Sequence, residues 1–152
     1  MRRTGFTILQ LMITTMIVGL VTTLTLPRLI DAVYKTNVRS ARVAFANLVA
    51  RARTVAVQRG CVATLRVTTG PAGAVWVTAC NINQAGTDTV GRVEPLATRF
   101  GVSLSATITS LQFQPHGLSV GYQPMTVVFT SIASGVPYTD STVINELGKV
   151  VH

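Results

Sequence analysis

The sequence predicts an α+β protein, with one long N-terminal helix followed by a β-rich domain. Two observations carry that reading. No charged residue occurs from Phe6 to Leu26, and the chain beyond it keeps helical periodicity to about Gln58. After Gly60 the period of 3.6 gives way to short β-branched runs separated by turn signals.

The apolar run comes first. As a helix, 21 residues span about 30 Å, the hydrocarbon thickness of a bilayer. It is longer than the apolar core of an ordinary secretion signal, and Leu24-Thr25-Leu26-Pro27 offers no small-x-small cleavage site. Arg2 and Arg3 precede the run, which places the N-terminus on the cytoplasmic side and exports the remainder. Pro27 removes a backbone donor and crowds the preceding turn, so a bend or local melting is expected there.

The second half of the helix is amphipathic. At 100° per residue, Ile30, Tyr34, Ala41, Phe45, Leu48, Ala52 and Val55 share a side that calls for a covering sheet. Arg28, Lys35, Arg39, Arg42 and Arg53 gather on the opposite side. That stripe is either a solvated outer face or a track for a phosphate backbone. Arg59 and Gly60 supply a C-terminal cation and a helix stop.

In the β-rich part, Cys61–Thr68 and Ala74–Cys80 flank Thr69-Gly70-Pro71-Ala72-Gly73, which reads as a hairpin turn. Symmetric pairing is expected to set Cys61 opposite Cys80 and Leu65 opposite Trp76. The two cysteines then form a disulfide in an oxidising compartment, or remain as two buried thiols. Asn81–Val93 reads as a loop. Further strands are expected near Val102–Ile108, Leu111–Gln114, Met125–Phe129, Ser141–Asn145 and Lys149–Val151, enough for one or two antiparallel sheets.

Composition excludes several classes of function. Asp31, Asp88, Glu94, Asp140 and Glu146 are scattered, and the two histidines, His116 and His152, sit apart. The serines lack an elbow motif, and the glycine-rich turn lacks the Lys-Ser/Thr of a phosphate loop. No enzyme activity, cofactor or metal is therefore expected. The formal charge of +8, from 13 Lys and Arg against 5 Asp and Glu, favours acidic partners such as nucleic acid or anionic lipid.

The N-terminal order resembles a known family. A short basic leader ending in Gly5, then Phe6, then an apolar helix with a polar residue at Gln10, resembles the signal of type IV pilins and pseudopilins. Leu48–Val67 (LVARARTVAVQRGCVATLRV), Trp76 and Phe113-Gln114-Pro115-His116-Gly117 resemble the pseudopilin H (GspH) / minor pilin FimT family. The resemblance implies a pilin-like fold with a leader (1–5), a transmembrane or filament-core helix (6–27) and a globular domain (28–152), whose amphipathic helix covers 28–59 and whose β-rich part covers 61–152. It implies cleavage by a prepilin peptidase between Gly5 and Phe6, N-methylation of Phe6, and retention of the helix as an inner-membrane anchor with the C-terminal domain outside the cytoplasm. The implied partners are other pilins or pseudopilins and the inner-membrane assembly platform.

Two positions depart from the family. Gln10 stands where the family has Glu, whose carboxylate neutralises a neighbouring subunit's N-terminal amine. An amide accepts a hydrogen bond from an ammonium without cancelling its charge. Gln10 is thus either a tolerated substitution or the mark of a subunit that docks poorly or at a special place, such as the tip or an initiating complex. Gly148-Lys149-Val150-Val151 stands where DNA-binding relatives carry Gly-Arg-x-Arg; Lys149 offers a point charge without the guanidinium fork. A structural filament subunit for secretion or pilus assembly is the leading expectation. The alternative is a DNA-binding minor pilin acting in DNA uptake.

Overall fold

The computed structural model describes residues 7–81, 86–121, 123–133 and 135–151. The chain divides into two compact units, Met1–Val33 and Tyr34–His152. A single helix, α1 (Ile8–Arg59), contributes to both. It remains helical through Pro27, so the expected local melting does not occur. Proline forfeits one donor there, and the flanking turns keep theirs.

In the second unit α1 is followed by β1 (Ala63–Val67), β2 (Val75–Cys80), β3 (Thr87–Thr89), α2 (Leu96–Phe100), β4 (Ser103–Ala106), β5 (Ser110–Phe113), β6 (Met125–Ala133), β7 (Val136–Ile144) and β8 (Val150–Val151). The strands form two antiparallel four-stranded sheets. Sheet A has the order β3-β2-β1-β5 and sheet B the order β4-β6-β7-β8.

The core lies between the inner faces of the strands and one side of α1. Val38, Ala41, Phe45, Leu48, Val49, Ala52, Val55 and Ala56 are buried from the helix. Alternation along β1 and β2 sends Ala63, Leu65, Val67, Val75, Val77 and Ala79 inward. Sheet B adds Leu104, Met125, Val127, Phe129 and Ile144. Phe45 meets Phe129 edge-on at a centroid distance of 5.8 Å, joining helix to sheet. The apolar side expected of the helix is buried from Ala41 onward, whereas Ile30, in the first unit, is 46% exposed.

The β1–β2 register differs from the expectation by one residue. Leu65 pairs with Val77 and Arg66 with Trp76. The reason is the turn: Thr68 N donates to Ala74 O at 2.8 Å, closing a loop of five residues. An odd loop pairs residues symmetrically about Pro71, so Leu65 cannot face Trp76. The slip matters, because adjacent positions point to opposite faces. Gly73 holds the turn close; a Cβ there would meet Thr68 O at 2.8 Å.

Two elements lie where no regular structure was expected. β3 falls inside the anticipated loop and pairs with β2 through Thr78–Thr89, Ala79–Asp88 and Cys80–Thr87. α2 is one turn and a half between Pro95 and Gly101, the latter in the left-handed conformation at φ 63°. β7 is also longer than expected, with its first half mostly exposed and paired to β6 out to Ala133–Val136.

Candidate functional site

The N-terminal segment is built for an apolar environment. From Ile8 to Val21 its large side chains are 52–81% exposed, on every side of the helix. α1 contains an 18-residue window with mean hydropathy 1.9, and it is the one helix among the described residues long and apolar enough to cross a membrane. Among the described side chains, Thr14, Thr15, Thr22 and Thr23 interrupt the apolar surface, and each returns its hydroxyl to the backbone. Thr14 Oγ1 donates to Leu11 O at 2.9 Å, Thr15 to Met12 O at 3.0 Å, and Thr23 to Leu20 O at 2.9 Å. Thr22 Oγ1 reaches both Val18 O and Gly19 O at 2.9 Å. This back-bonding removes the polar penalty that free hydroxyls would carry in hydrocarbon.

Gly5 and Phe6 lie outside the described residues. Gln10 lies in the first turn, exposed. Thr7 precedes α1, and its Oγ1 accepts the Gln10 backbone N–H at 3.4 Å, while Thr7 O accepts from Leu11 N at 3.2 Å. Thr7-Ile8-Leu9-Gln10 therefore has the spacing of a capping box, with Thr7 as N-cap and Gln10 three residues on. The Thr-x-x-Gln spacing is itself a sequence signal for a helix start.

The basic stripe is not uniform. Arg42 forms an ion pair with Asp140 of β7, Nη1 to Oδ1 3.2 Å, with the two side chains 24% and 29% exposed. Arg53 Nη2 donates to Gly148 O at 2.7 Å, and its guanidinium lies 5.8 Å from the Phe113 ring centroid. Lys35 Nζ sits 5.3 Å over the ring of Tyr138. Arg28 and Arg39 are exposed on α1, and Lys149 is exposed next to β8, where its backbone N–H donates to Asn145 Oδ1 at 2.7 Å. Arg42 and Arg53 flank the buried side of the helix rather than opposing it, which lets them reach the sheets. Within the second unit, the contacts of Lys35, Arg42 and Arg53 set them apart from the exposed Arg39 and Lys149.

Cys61 and Cys80 form a disulfide with a Cα–Cα distance of 6.3 Å. Cys61 lies beyond the end of β1, so the bridge crosses the mouth of the hairpin diagonally and tolerates the shifted register. Arg59, the last residue of α1, donates from Nη1 to Cys80 O at 2.6 Å, fixing the helix end to the same strand. Arg51, not singled out from sequence, fills the space at Gly91: a Cβ there would stand 2.1 Å from Arg51 Nη2, and Gly91 has φ 86°. Among the described residues, no group of three His, Cys, Asp or Glu could hold a metal ion.

From the amphipathic half of α1 through the disulfide-tied hairpin and both sheets, residues 41–148 match a family model, Type II transport protein GspH. The chain belongs to the GspH family. Its fold is that of a pilin. The crystal structure of the Pseudomonas aeruginosa (strain PAO1) type IV minor pilin FimU is similar, with a TM-score of 0.58 at 12% identity over 76% of this chain and 87% of that one. No curated protein sequence matches the chain. Membership of the GspH family supports a role in type II secretion or pilus assembly, in company with other pilins or pseudopilins.

Proposed function

We propose that this GspH-family chain is a non-catalytic minor pilin or pseudopilin that helps initiate or cap a type II secretion pseudopilus or a type IV pilus. The observation that carries this reading is the segment 8–23. Its apolar side chains are exposed all round and its threonine hydroxyls are satisfied internally, so it needs either lipid or the apolar helices of other subunits around it.

In this reading a prepilin peptidase removes residues 1–5, cutting between Gly5 and Phe6, and Phe6 is N-methylated. The helix holds the subunit in the inner membrane, N-terminus cytoplasmic and domain exported, until the assembly platform extracts it. Gln10, neutral and exposed in the first turn, then meets a neighbour's N-terminal amine through a hydrogen bond rather than an ion pair. That suits a subunit with a neighbour on one side only.

The test is co-expression of the full chain with a prepilin peptidase, followed by membrane fractionation and intact-mass measurement. A membrane-bound product lacking residues 1–5 and carrying one methyl group supports the reading. A soluble product, or one retaining its leader, overturns it. DNA uptake through the helix stripe is the weaker reading, because Arg42 and Arg53 already have partners within the domain.

A further inference from the structure

The outer face of sheet A is organised for a ligand of different chemistry. Leu65, Val77 and Leu111 turn into the core, so the residues alternating with them face outward. The ladders set Thr64 between Thr78 and Gln112, and Arg66 between Trp76 and Ser110. These six residues present one indole, one guanidinium, three hydroxyls and one amide, with no acid among them. A depression of about 490 Å3 opens at Arg66, Trp76 and Ser110.

Several arginines of the domain are engaged: Arg42 with Asp140, Arg53 with Gly148, Arg59 with Cys80 and Arg99 with Glu94. Arg66 is exposed, and among the described residues its guanidinium has no ion pair or hydrogen bond and the half-buried Trp76 beside it has no ring or cation partner. Trp76 is the single tryptophan of the chain. Thr78 Oγ1 donates to Thr64 O at 3.4 Å. The side chains of Thr64, Ser110 and Gln112 are left to solvent or to a ligand.

We propose that this face binds a carbohydrate bearing a carboxylate. The C–H face of one pyranose ring lies on Trp76, its hydroxyls exchange hydrogen bonds with Ser110, Thr64 and Gln112, and its carboxylate pairs with the Arg66 fork. The ratio of groups selects this class. A nucleic-acid strand carries one charge per nucleotide and calls for a succession of cations, whereas one cation stands here among neutral groups that both donate and accept. A sugar acid matches that ratio: many hydroxyls, one charge. The inference goes beyond the filament role and does not depend on it.

The experiment is calorimetry on the full chain in detergent with three probes: hexagalacturonate, neutral maltohexaose and a ten-nucleotide oligothymidylate. Tryptophan emission reports directly on the site. Hexagalacturonate is expected to bind and shift the emission, and maltohexaose to bind at least about tenfold more weakly, as expected for loss of a charge-assisted hydrogen bond. Arg66→Gln, at an exposed position, erases the preference for the acidic sugar while the thermal transition stays in place. Trp76→Ala abolishes binding and Trp76→Tyr restores part of it. No heat and no emission shift with millimolar hexagalacturonate overturns the proposal. So does binding unchanged in Arg66→Gln, or oligothymidylate binding more tightly than the sugar acid and displacing it.

Discussion

Arg53 Nη2 donates to Gly148 O at 2.7 Å, and Gly148 itself lies so close to Phe113 that a Cβ would stand 2.6 Å from the ring. The helix thereby holds the loop between β7 and β8 against the fully buried end of β5. Gly148 also has φ 78°, a left-handed backbone that side chains rarely adopt. Gly148→Ala is expected to destabilise the domain by about 2–4 kcal/mol, through backbone strain and displacement of a core ring. Thermal unfolding of the purified chain measures it.

Arg53→Ala probes the other half of that relationship. It leaves the Gly148 carbonyl without its charged donor and strips the aliphatic stem from Gly117, whose Cβ position lies 3.4 Å from Arg53 Cγ. A loss of about 1–3 kcal/mol is expected, with hydrogen exchange rising first at Leu147–Val151.

The Arg42–Asp140 pair is partly exposed, so its contribution is small. A double-mutant cycle with Arg42→Ala and Asp140→Ala is expected to give a coupling of about 0.5–1 kcal/mol, falling as salt is raised. A salt-independent coupling of several kcal/mol would contradict this description of the pair.

Loss of the Cys61–Cys80 bridge acts mainly on the unfolded chain. With a sequence separation of 19, the Cys61→Ser, Cys80→Ser double variant is expected to lose about 2–4 kcal/mol while keeping the fold. Equal unfolding midpoints for oxidised and reduced wild-type protein would refute it.

At the start of the helix, Thr7→Ala removes the cap acceptor for Gln10 N–H and is expected to fray the first turn, at a cost of about 0.5–2 kcal/mol. Gln10→Glu keeps the capping-box spacing and adds the charge. Incorporation into filaments, compared with wild type, separates the two roles; equal incorporation of Gln10→Glu and wild type would show that charge at this position is immaterial.

Long periodic segments were legible in the sequence because many residues vote for the same face. The burial of Ala41, Phe45, Leu48, Ala52 and Val55 follows from spacing alone. Val38, Val49 and Ala56 escape that reading because they lie near the edge of the stripe, where the depth of the neighbouring sheets decides. β3 carries no apolar signal at all: Thr87, Asp88 and Thr89 are exposed, and only the partner strand makes them a strand. α2 is too short for periodicity, although Pro95 before it and Gly101 after it are its punctuation. Among functional candidates, type was readable and partner was not. Arg42, Arg53 and Arg39 are alike in sequence, and Asp140 and Gly148, roughly a hundred residues away, distinguish the first two from the third.

The position of the disulfide also permits an order of events in folding. Its two ends are close in the chain, and the hairpin it crosses requires only β1, β2 and a five-residue turn, so little entropy is lost in bringing the sulfurs together. Nothing in sheet B is needed for that step. Under oxidising conditions the bond can close before residues 103–151 are in place, while the Arg42–Asp140 and Arg53–Gly148 links, spanning 98 and 95 residues, must wait for the last strands. Oxidation would then give an early covalent seed, and the arginine anchors would latch last.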